Sequence, residues 1–528
     1  MFVRTLTLLS SLALLACGDD SAGSATATDS GSGTDPSSSG ADTGTPTSGE
    51  VPTSGGADVC VPGAMSACDC PMGQVGSQTC AADGAELGPC ECPMSACGDG
   101  QVDGAEVCDD GVNDGSYGHC LADCSAAGPG CGDGEVNGPE PCDDGNAVDG
   151  DGCNVDCVIS GSELWTRGYA GEDAGNARAR GAAVDASGNV IVVGEEFVVG
   201  QNANMWARKY SPAGDVLWTW TWVGAANGDD VAHGVAVAPD GDLVIVGETY
   251  VGGSGADMAF IKLHADSKPV WEKTYNGPGN LGDRAYGVAV DPAGNIAVTG
   301  EEYKLVGLHN AWTRLMDGAG TEIWSDAFDA NAGEDAGHAV AFTAKGEVVV
   351  AGEIYVPVGL ADLWLRKYSP EGKEVWTRSG DHMNGNDVWR GLAIDGEGNI
   401  GLVGEVYEVA GLSAIMVAKY NAAGYEVWSD LQDSAGGDND VGRAAAFDAA
   451  GNLLAAGEEY TANDFARTWL RKYDPAGAQL WTQTHDGAAA GNDVAWAVAV
   501  DASGHVYAAG EEYVVGQFAT VWLTKYAP

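Results

Sequence analysis

The residues best placed for chemistry recur at a nearly fixed interval after residue 160. A Gly-Glu pair recurs in step with this interval in seven copies, with its glutamate at Glu195, Glu248, Glu301, Glu353, Glu405, Glu458 and Glu511. An aspartate precedes six of these pairs at a constant distance, at Asp230, Asp283, Asp335, Asp387, Asp440 and Asp493, and the first copy has Ala177 there. Carboxylates held close together raise each other's pKa unless donors or cations intervene. We therefore expect hydrogen bonds to satisfy both sets, or cations to gather beside them.

The third residue after each aspartate position changes from copy to copy while its surroundings stay constant. Its occupants are large and can donate hydrogen bonds or stack: Arg180, His233, Tyr286, His338, Arg390, Arg443 and Trp496. Variable side chains on a constant frame are typical of a binding site. We predict that these seven residues form a ligand-binding rim. The alternative interpretation is that the arginines and histidines only neutralise the carboxylates.

These positions belong to one unit that is repeated seven times. Tryptophans recur at intervals of 52 or 53 residues, at Trp165, Trp218, Trp271, Trp324, Trp376, Trp428 and Trp481. Inside each unit the hydrophobic pattern has period two and is interrupted by turn residues, which in the second unit predicts strands at 233–237, 243–250, 258–263 and 270–275. Four short strands repeated seven times predict an all-β fold, a seven-bladed β-propeller with four-stranded blades over residues 162–528.

The repeated pattern VAVDxxGNxxVxGExY, followed by a strand ending in Lys-Tyr, resembles the seven-bladed propeller repeats of exported bacterial proteins. The resemblance implies the fold and leaves the activity open. The last unit ends with its third strand, so we predict that residues 164–169 pair with residues 521–526 and close the ring. The recurring tryptophans are expected to pack between blades.

The first third of the chain has a different chemistry. All 15 cysteines lie before Ser160, and 26 acidic residues but no lysine or arginine lie between Cys17 and Ile159. A six-cysteine segment at residues 60–94 precedes two similar four-cysteine units at residues 95–158. The even number of cysteines after Cys17 predicts a disulfide-rich, loop-dominated stalk in an oxidising compartment. Four cysteines allow three pairings per unit, and the sequence does not choose among them.

The second unit carries closely spaced oxygen ligands. Its pattern CGDGxxxxxExCDDGNxxxGDGC resembles the cysteine-rich repeats of myxobacterial surface proteins, which implies an extracellular structural module without activity. Five of its residues would suit Ca²⁺, which binds six to eight oxygens: Asp143, Asp144, Asn146, Asp149 and Asp151. The alternative is that these residues form Asx turns between disulfides. Zinc is disfavoured, because the segment has one histidine, His119.

The N-terminus predicts export and a lipid anchor. Residues 1–16 join Arg4 to an apolar run too short to span a bilayer, as in a signal peptide. The junction Leu14-Leu15-Ala16-Cys17 resembles a bacterial lipobox, which implies that Cys17 becomes the lipidated N-terminus. Residues 17–59, rich in Ser, Thr, Gly and Pro, predict a disordered tether. We expect a protein held at the outer membrane or cell surface of a Gram-negative envelope through its lipid anchor alone.

The net charge and the sequence motifs limit the classes of function that the chain could have. With 77 acidic and 24 basic residues among 528, the net charge of -53 argues against nucleic acid as a partner. We expect a non-enzymatic binding or scaffold protein whose propeller contacts a protein or a glycan, with Ca²⁺ as the one cofactor that the sequence suggests. The alternative is a propeller enzyme: a polysaccharide hydrolase or lyase, or an oxidoreductase, since residues 368–376 resemble the tryptophan docking repeat of quinoprotein dehydrogenases.

Overall fold

The computed structural model describes residues 60–69, 75–91, 97–102, 106–172, 176–226, 228–253, 255–304, 308–330, 333–356, 360–383, 385–408, 412–434, 439–460, 465–487, 489, 491–514 and 519–528. This part of the chain is all β, with no helix that could cross a membrane. The predicted signal peptide, lipidation site Cys17 and tether lie outside the described residues. The chain divides into two compact units, Met1–Pro93 and Met94–Pro528.

The first unit contains a small antiparallel sheet and two disulfides. Strands β1 (Met65–Asp69) and β2 (Val75–Thr79) pair with each other. The disulfides join Cys60 to Cys80 and Cys68 to Cys90. The remaining cysteines of this segment, Cys70 and Cys92, lie outside the described residues.

The two four-cysteine units have the same disulfide pairing. In each, the first cysteine pairs with the fourth and the second with the third, which gives Cys97–Cys124, Cys108–Cys120, Cys131–Cys157 and Cys142–Cys153. One carboxylate organises each unit, because Asp109 and Asp143 each accept several backbone N–H groups of the Cys-Gly-Asp-Gly segment. Disulfides and these hydrogen bonds take the place of a hydrophobic core.

The other strands form seven four-stranded antiparallel sheets, which confirms the predicted propeller. Their bounds follow, from the innermost strand outwards. Blade 1 contains β4 (Ala177–Val184), β5 (Val190–Val198), β6 (Asn202–Tyr210) and β7 (Val216–Trp222). Blade 2 contains β8 (Asp230–Val237), β9 (Leu243–Tyr250), β10 (Ala256–Leu263) and β11 (Pro269–Tyr275). Blade 3 contains β12 (Arg284–Val290), β13 (Ile296–Tyr303), β14 (His309–Met316) and β15 (Glu322–Phe328). Blade 4 contains β16 (Ala336–Phe342), β17 (Val348–Val356), β18 (Leu360–Tyr368) and β19 (Glu374–Gly380). Blade 5 contains β20 (Val388–Ile394), β21 (Ile400–Glu408), β22 (Leu412–Tyr420) and β23 (Glu426–Gln432). Blade 6 contains β24 (Val441–Phe447), β25 (Leu453–Tyr460), β26 (Ala466–Tyr473) and β27 (Gln479–His485). Blade 7 contains β28 (Val494–Val500), β29 (Val506–Glu512), β30 (Thr520–Tyr526) and β3 (Glu163–Tyr169).

Blade 7 is completed by the first strand of the propeller. Strand β30 pairs with β29 on one side and with β3 on the other, and Trp165 stands opposite Lys525. The predicted closure is confirmed. The outer strand of this blade therefore comes from one end of the repeat array and the other three strands from its opposite end.

The recurring tryptophans connect adjacent blades, as predicted. The indole Nε1–H of Trp218 in blade 1 donates to the carbonyl of Ala265 in blade 2 at 3.0 Å. Trp165, Trp271, Trp324 and Trp428 donate in the same way to a turn of the next blade. The other two, Trp376 and Trp481, pack in hydrophobic clusters, and their buried Nε1 atoms have no hydrogen-bond partner among the described residues.

A buried lysine joins the third strand to the first hairpin turn in five blades. The ion pairs are Lys209–Asp185, Lys262–Asp242, Lys367–Glu347, Lys419–Asp395 and Lys472–Asp448. The Lys472 side chain is 2% exposed and lies 3.1 Å from Asp448. A charge this deeply buried needs a partner, so the pair fixes the turn against the blade.

Candidate functional site

The innermost strand of every blade carries a β-bulge at the same place. In β8, Ala232 stands opposite Gly247 and Gly234 opposite Val246, so His233 has no residue opposite it. The corresponding unpaired residues of the seven blades are Arg180, His233, Tyr286, His338, Arg390, Arg443 and Trp496. A bulge redirects the side chain of its extra residue. All seven residues of the predicted rim are therefore bulge residues, and we call them the axial ring.

The bulge also explains the glycine of the Gly-Glu pair. A Cβ atom on Gly247 would lie 1.9 Å from the carbonyl oxygen of Val231 on the innermost strand. The equivalent distances are 1.9 Å for Gly300 and 1.8 Å for Gly510. Real atoms cannot approach so closely, so only glycine permits the innermost strand to approach at this point.

The axial ring surrounds a cavity on the propeller axis. Its seven side chains alone line a cavity of about 220 Å³. A second cavity, also about 220 Å³, is lined by the same residues and by the two that follow each of them, so it lies towards the C-terminal ends of the innermost strands. The structure thus brings together all seven residues that the sequence analysis selected. That they bind a ligand stays a prediction.

Six of the seven ring residues lie beside the glutamate of their own blade. Arg180 donates to Glu195 through Nη2 at 2.9 Å and through Nε at 3.3 Å, and Arg390 and Arg443 engage their glutamates with the same two nitrogens. His338 Nε2 lies 3.1 Å from its glutamate, and Trp496 Nε1 donates to its own at 3.1 Å. His233 Nε2 is more distant, at 3.5 Å from its glutamate. The arginines and His338 therefore do pair with the glutamate carboxylates, as the alternative interpretation of the ring expected.

Two arginines that the sequence analysis missed connect neighbouring blades. Arg178 contacts Glu511 at 2.6 Å and Glu195 at 3.4 Å, and Arg284 contacts both Glu248 and Glu301 at 2.7 Å. Both arginines follow the aspartate position of their unit. Their signal was therefore visible, but it occurs in only two of the seven copies.

Burial and ion pairing set opposite pKa shifts in this region. Although burial opposes the effect, His309 and Arg284 hold the pKa of Glu301 at about 2. Burial, with a contribution from Glu405, raises the pKa of Glu458 even though Arg443 lies beside it. Burial and the nearby Glu301 raise the pKa of Tyr286, so its hydroxyl stays protonated at neutral pH.

The repeated aspartates accept hydrogen bonds from backbone amides, so their carboxylates are occupied within the protein. Asp230 is buried and accepts hydrogen bonds from the amides of Gly224 and Tyr250 and from the Thr249 hydroxyl. The other five each accept an amide from the preceding loop and one near the end of the second strand. Burial raises the pKa of all six. Hydrogen bonds therefore satisfy this set, one of the two expectations for it.

The predicted calcium ligands make local hydrogen bonds. Asp144 accepts the amide of Cys153, Asp149 accepts that of Val155, and Asn146 donates to Asp151. Among the described residues, the compact groups of candidate metal ligands are Cys131, Glu140 and Cys157, and Glu106, Asp109 and Cys124. The cysteines of both groups are in disulfides. Calcium binding stays a prediction, and the Asx-turn alternative accounts for the contacts seen.

No protein-family model and no curated protein matches the chain. Among solved structures it is similar to a protein of unknown function from Bacteroides caccae, with 15% identity, a TM-score of 0.34, and 51% of this chain and 83% of that chain covered. It is also similar to a protein of unknown function from Dyadobacter fermentans, with 7% identity, a TM-score of 0.38, and 70% of this chain and 100% of that chain covered. A third similar structure is a gluconolactonase from Xanthomonas campestris, with 12% identity, a TM-score of 0.34, and 67% of this chain and 87% of that chain covered. Likenesses this low carry no argument about function.

Proposed function

We propose that the chain is an exported, lipid-anchored binding protein of the bacterial envelope whose propeller holds a protein or glycan partner at the axial ring. The observation that carries this proposal is the placement of seven side chains of four residue types, on seven equivalent bulges, around one cavity. A structural need shared by all blades would call for the same residue in each, as at the position of the seven glutamates. Variation at this position alone fits a surface adapted to a partner.

The pairing within the ring supports recognition. Each arginine of the ring is held by a glutamate of its own blade, so its orientation is set before a partner arrives. Preorganised side chains lose little rotamer freedom on binding. The ion pairs of Glu301 with His309 and Arg284 disfavour this glutamate as the acid of a polysaccharide hydrolase, because a carboxyl group whose pKa is held at about 2 is a poor proton donor at neutral pH.

Export and anchoring rest on the sequence. The lipobox-like junction at Cys17 and the cysteine-rich stalk support them, because disulfides persist in oxidising compartments. Replacement Cys17→Ser in the producing cell should release the protein from the membrane fraction and abolish labelling by a clickable fatty-acid analogue. Retention of the label in that variant would refute lipidation at this residue.

Binding is tested with the exported chain on an array of envelope glycans and on immobilised envelope extract. The test variant is His233→Ala/His338→Ala, which opens one side of the axial ring. The matched control is His264→Ala, a substitution in an exposed turn outside the ring. The proposal expects binding by the wild type and the control and loss in the test variant. Equal binding by all three proteins would place the function elsewhere, and turnover of an array glycan would favour the enzyme alternative.

A further inference from the structure

The axial ring has two chemically different sides. Blades 5, 6, 7 and 1 are consecutive around the axis and supply a cationic arc of Arg390, Arg443, Trp496 and Arg180. Blades 2, 3 and 4 supply an aromatic arc of His233, Tyr286 and His338. All the arginines of the ring therefore lie on one side of the cavity.

Contacts along each arc hold its members together. In the cationic arc, the Cζ atoms of Arg443 and Arg180 lie 3.6 Å and 4.9 Å from the Trp496 ring centroid. In the aromatic arc, the Tyr286 ring lies 5.3 Å from that of His233 and 5.2 Å from that of His338. These contacts join Trp496 to two arginines and Tyr286 to both histidines.

The arginines of the cationic arc use only some of their N–H donors within the described part of the protein. Each uses Nε and Nη2 to contact the glutamate of its own blade. Within the described part of the chain, Nη1 of Arg180, Arg390 and Arg443 makes no hydrogen bond. A guanidinium group has five N–H donors and no acceptor, so each Nη1 leaves two N–H groups for a ligand.

These features identify the chemistry of the ligand. We propose, building on the binding function above, that the axial ring binds a small carboxylate anion, held by the Nη1 groups of Arg180, Arg390 and Arg443. Guanidinium donors match the geometry of a carboxylate, and a cation would meet only donors on this side. Because each arginine is already paired with a glutamate, directed N–H groups rather than net charge provide the attraction.

The size of the cavity sets the size of the ligand. About 220 Å³ is smaller than the roughly 300 Å³ at which pockets for drug-sized molecules begin. A free carboxylic acid and the acidic sugar residue of a glycan share the required group. The probes are therefore acetate, glucuronate, and glucose as the neutral counterpart of glucuronate.

The test is calorimetric titration of each probe into the full chain. We expect acetate and glucuronate to bind competitively, and glucose not to bind. A preference for glucuronate would identify an acidic sugar, and equal affinities would identify a free acid. Binding of glucose as tight as that of glucuronate would overturn the proposal.

The test variant is Arg390→Lys/Arg443→Lys, which keeps both positive charges beside Glu405 and Glu458 but removes the Nη1 donors. The control is Arg471→Lys, an arginine of the third strand of blade 6 that contacts Asp430 and Thr482 away from the cavity. We expect a roughly tenfold or greater loss of glucuronate affinity in the test variant only. Unchanged affinity would contradict the assignment, and melting temperatures of all proteins check folding.

The outcomes separate this inference from the proposed function. If no carboxylate binds the wild type while array binding still depends on His233 and His338, the ligand class is wrong and the binding site stands. If array binding is insensitive to those histidines as well, both proposals fail.

Discussion

Arg443 contacts two blades at once. Its Nε donates to Glu458 of its own blade at 2.5 Å, and its Cζ lies 3.6 Å from the centroid of the Trp496 ring in the next blade. The glutamate fixes the guanidinium plane, and the indole provides a surface for it. The axial ring is therefore a contact between blades as well as the wall of a cavity.

This arrangement predicts energetic coupling between Arg443 and Trp496. A cation–π contact in a partly desolvated site contributes about 1–2 kcal/mol. A double-mutant cycle with Arg443→Met and Trp496→Leu, measured by chemical denaturation, should give a coupling free energy of that size. Additive effects of the two substitutions would show that the contact contributes nothing.

The buried ion pair of blade 6 should be costly to break. Replacement Lys472→Met leaves Asp448 buried without its cation and should lower the free energy of unfolding by about 3–5 kcal/mol. The double variant Lys472→Met/Asp448→Asn removes both charges and should recover a large part of that loss. As a control, Lys268→Met removes an ion pair at the surface and should cost at most about 1 kcal/mol. A double variant no more stable than the single one would contradict this account.

Ring closure should depend on β3. A chain that begins at Ala170 lacks this strand and leaves β30 as an unpaired edge, whereas a chain that begins at Ser160 keeps it. We expect the shorter chain to melt at least about 5 °C lower, because Trp165 and Tyr169 no longer pack against the hydrophobic core between blades 7 and 1. Equal melting temperatures would show that the closure adds no stability.

His309 should make stability depend on pH. Its hydrogen bond to Glu301 raises the pKa of the imidazole above its ordinary value of 6.5, so the folded state favours the charged form. The resulting stabilisation is complete below pH 6.5 and is lost as the pH rises through the raised value. The difference in unfolding free energy between the wild type and His309→Gln should therefore shrink from pH 6 to pH 9. A constant difference for His309→Gln over this pH range would refute the role assigned to this residue.

The fold was predictable because its signals are repeated. Seven copies of one period-two pattern determine the number of blades, and the missing fourth strand after Tyr526 determines the closure. The innermost strand of blade 2 was predicted to begin at His233, but it begins at Asp230. The bulge explains this difference, because Asp230 to Ala232 continue the pairing with strand β9 beyond the unpaired residue. A hydrophobic pattern shows which residues alternate and does not show where the register shifts.

The candidate site was predictable in part. The seven variable positions were identified because they occupy the same place in every unit. Arg178 and Arg284 were missed because each has no counterpart in most units and contacts a glutamate of the neighbouring blade. His309 was missed because it occurs in one unit only, although Glu301 lies eight residues before it. The disulfide pairing was also left open, since three connectivities satisfy the same cysteine spacing. The disulfide pairing and the contacts of the two arginines both depend on which chain segments meet in the fold. A local sequence pattern does not contain that information.

The central claim is that the partner occupies the axial ring, and photo-crosslinking tests it directly. Tyr286 is replaced by p-azidophenylalanine, which is close to tyrosine in size, and the same replacement is made separately at Tyr425, an exposed side chain on the turn between the third and fourth strands of blade 5. After incubation with envelope material and illumination, we predict a crosslinked adduct at position 286 that free ligand competes away, and no such adduct at position 425. Adducts at position 425 alone, or equally at both positions, would contradict binding at the axial ring.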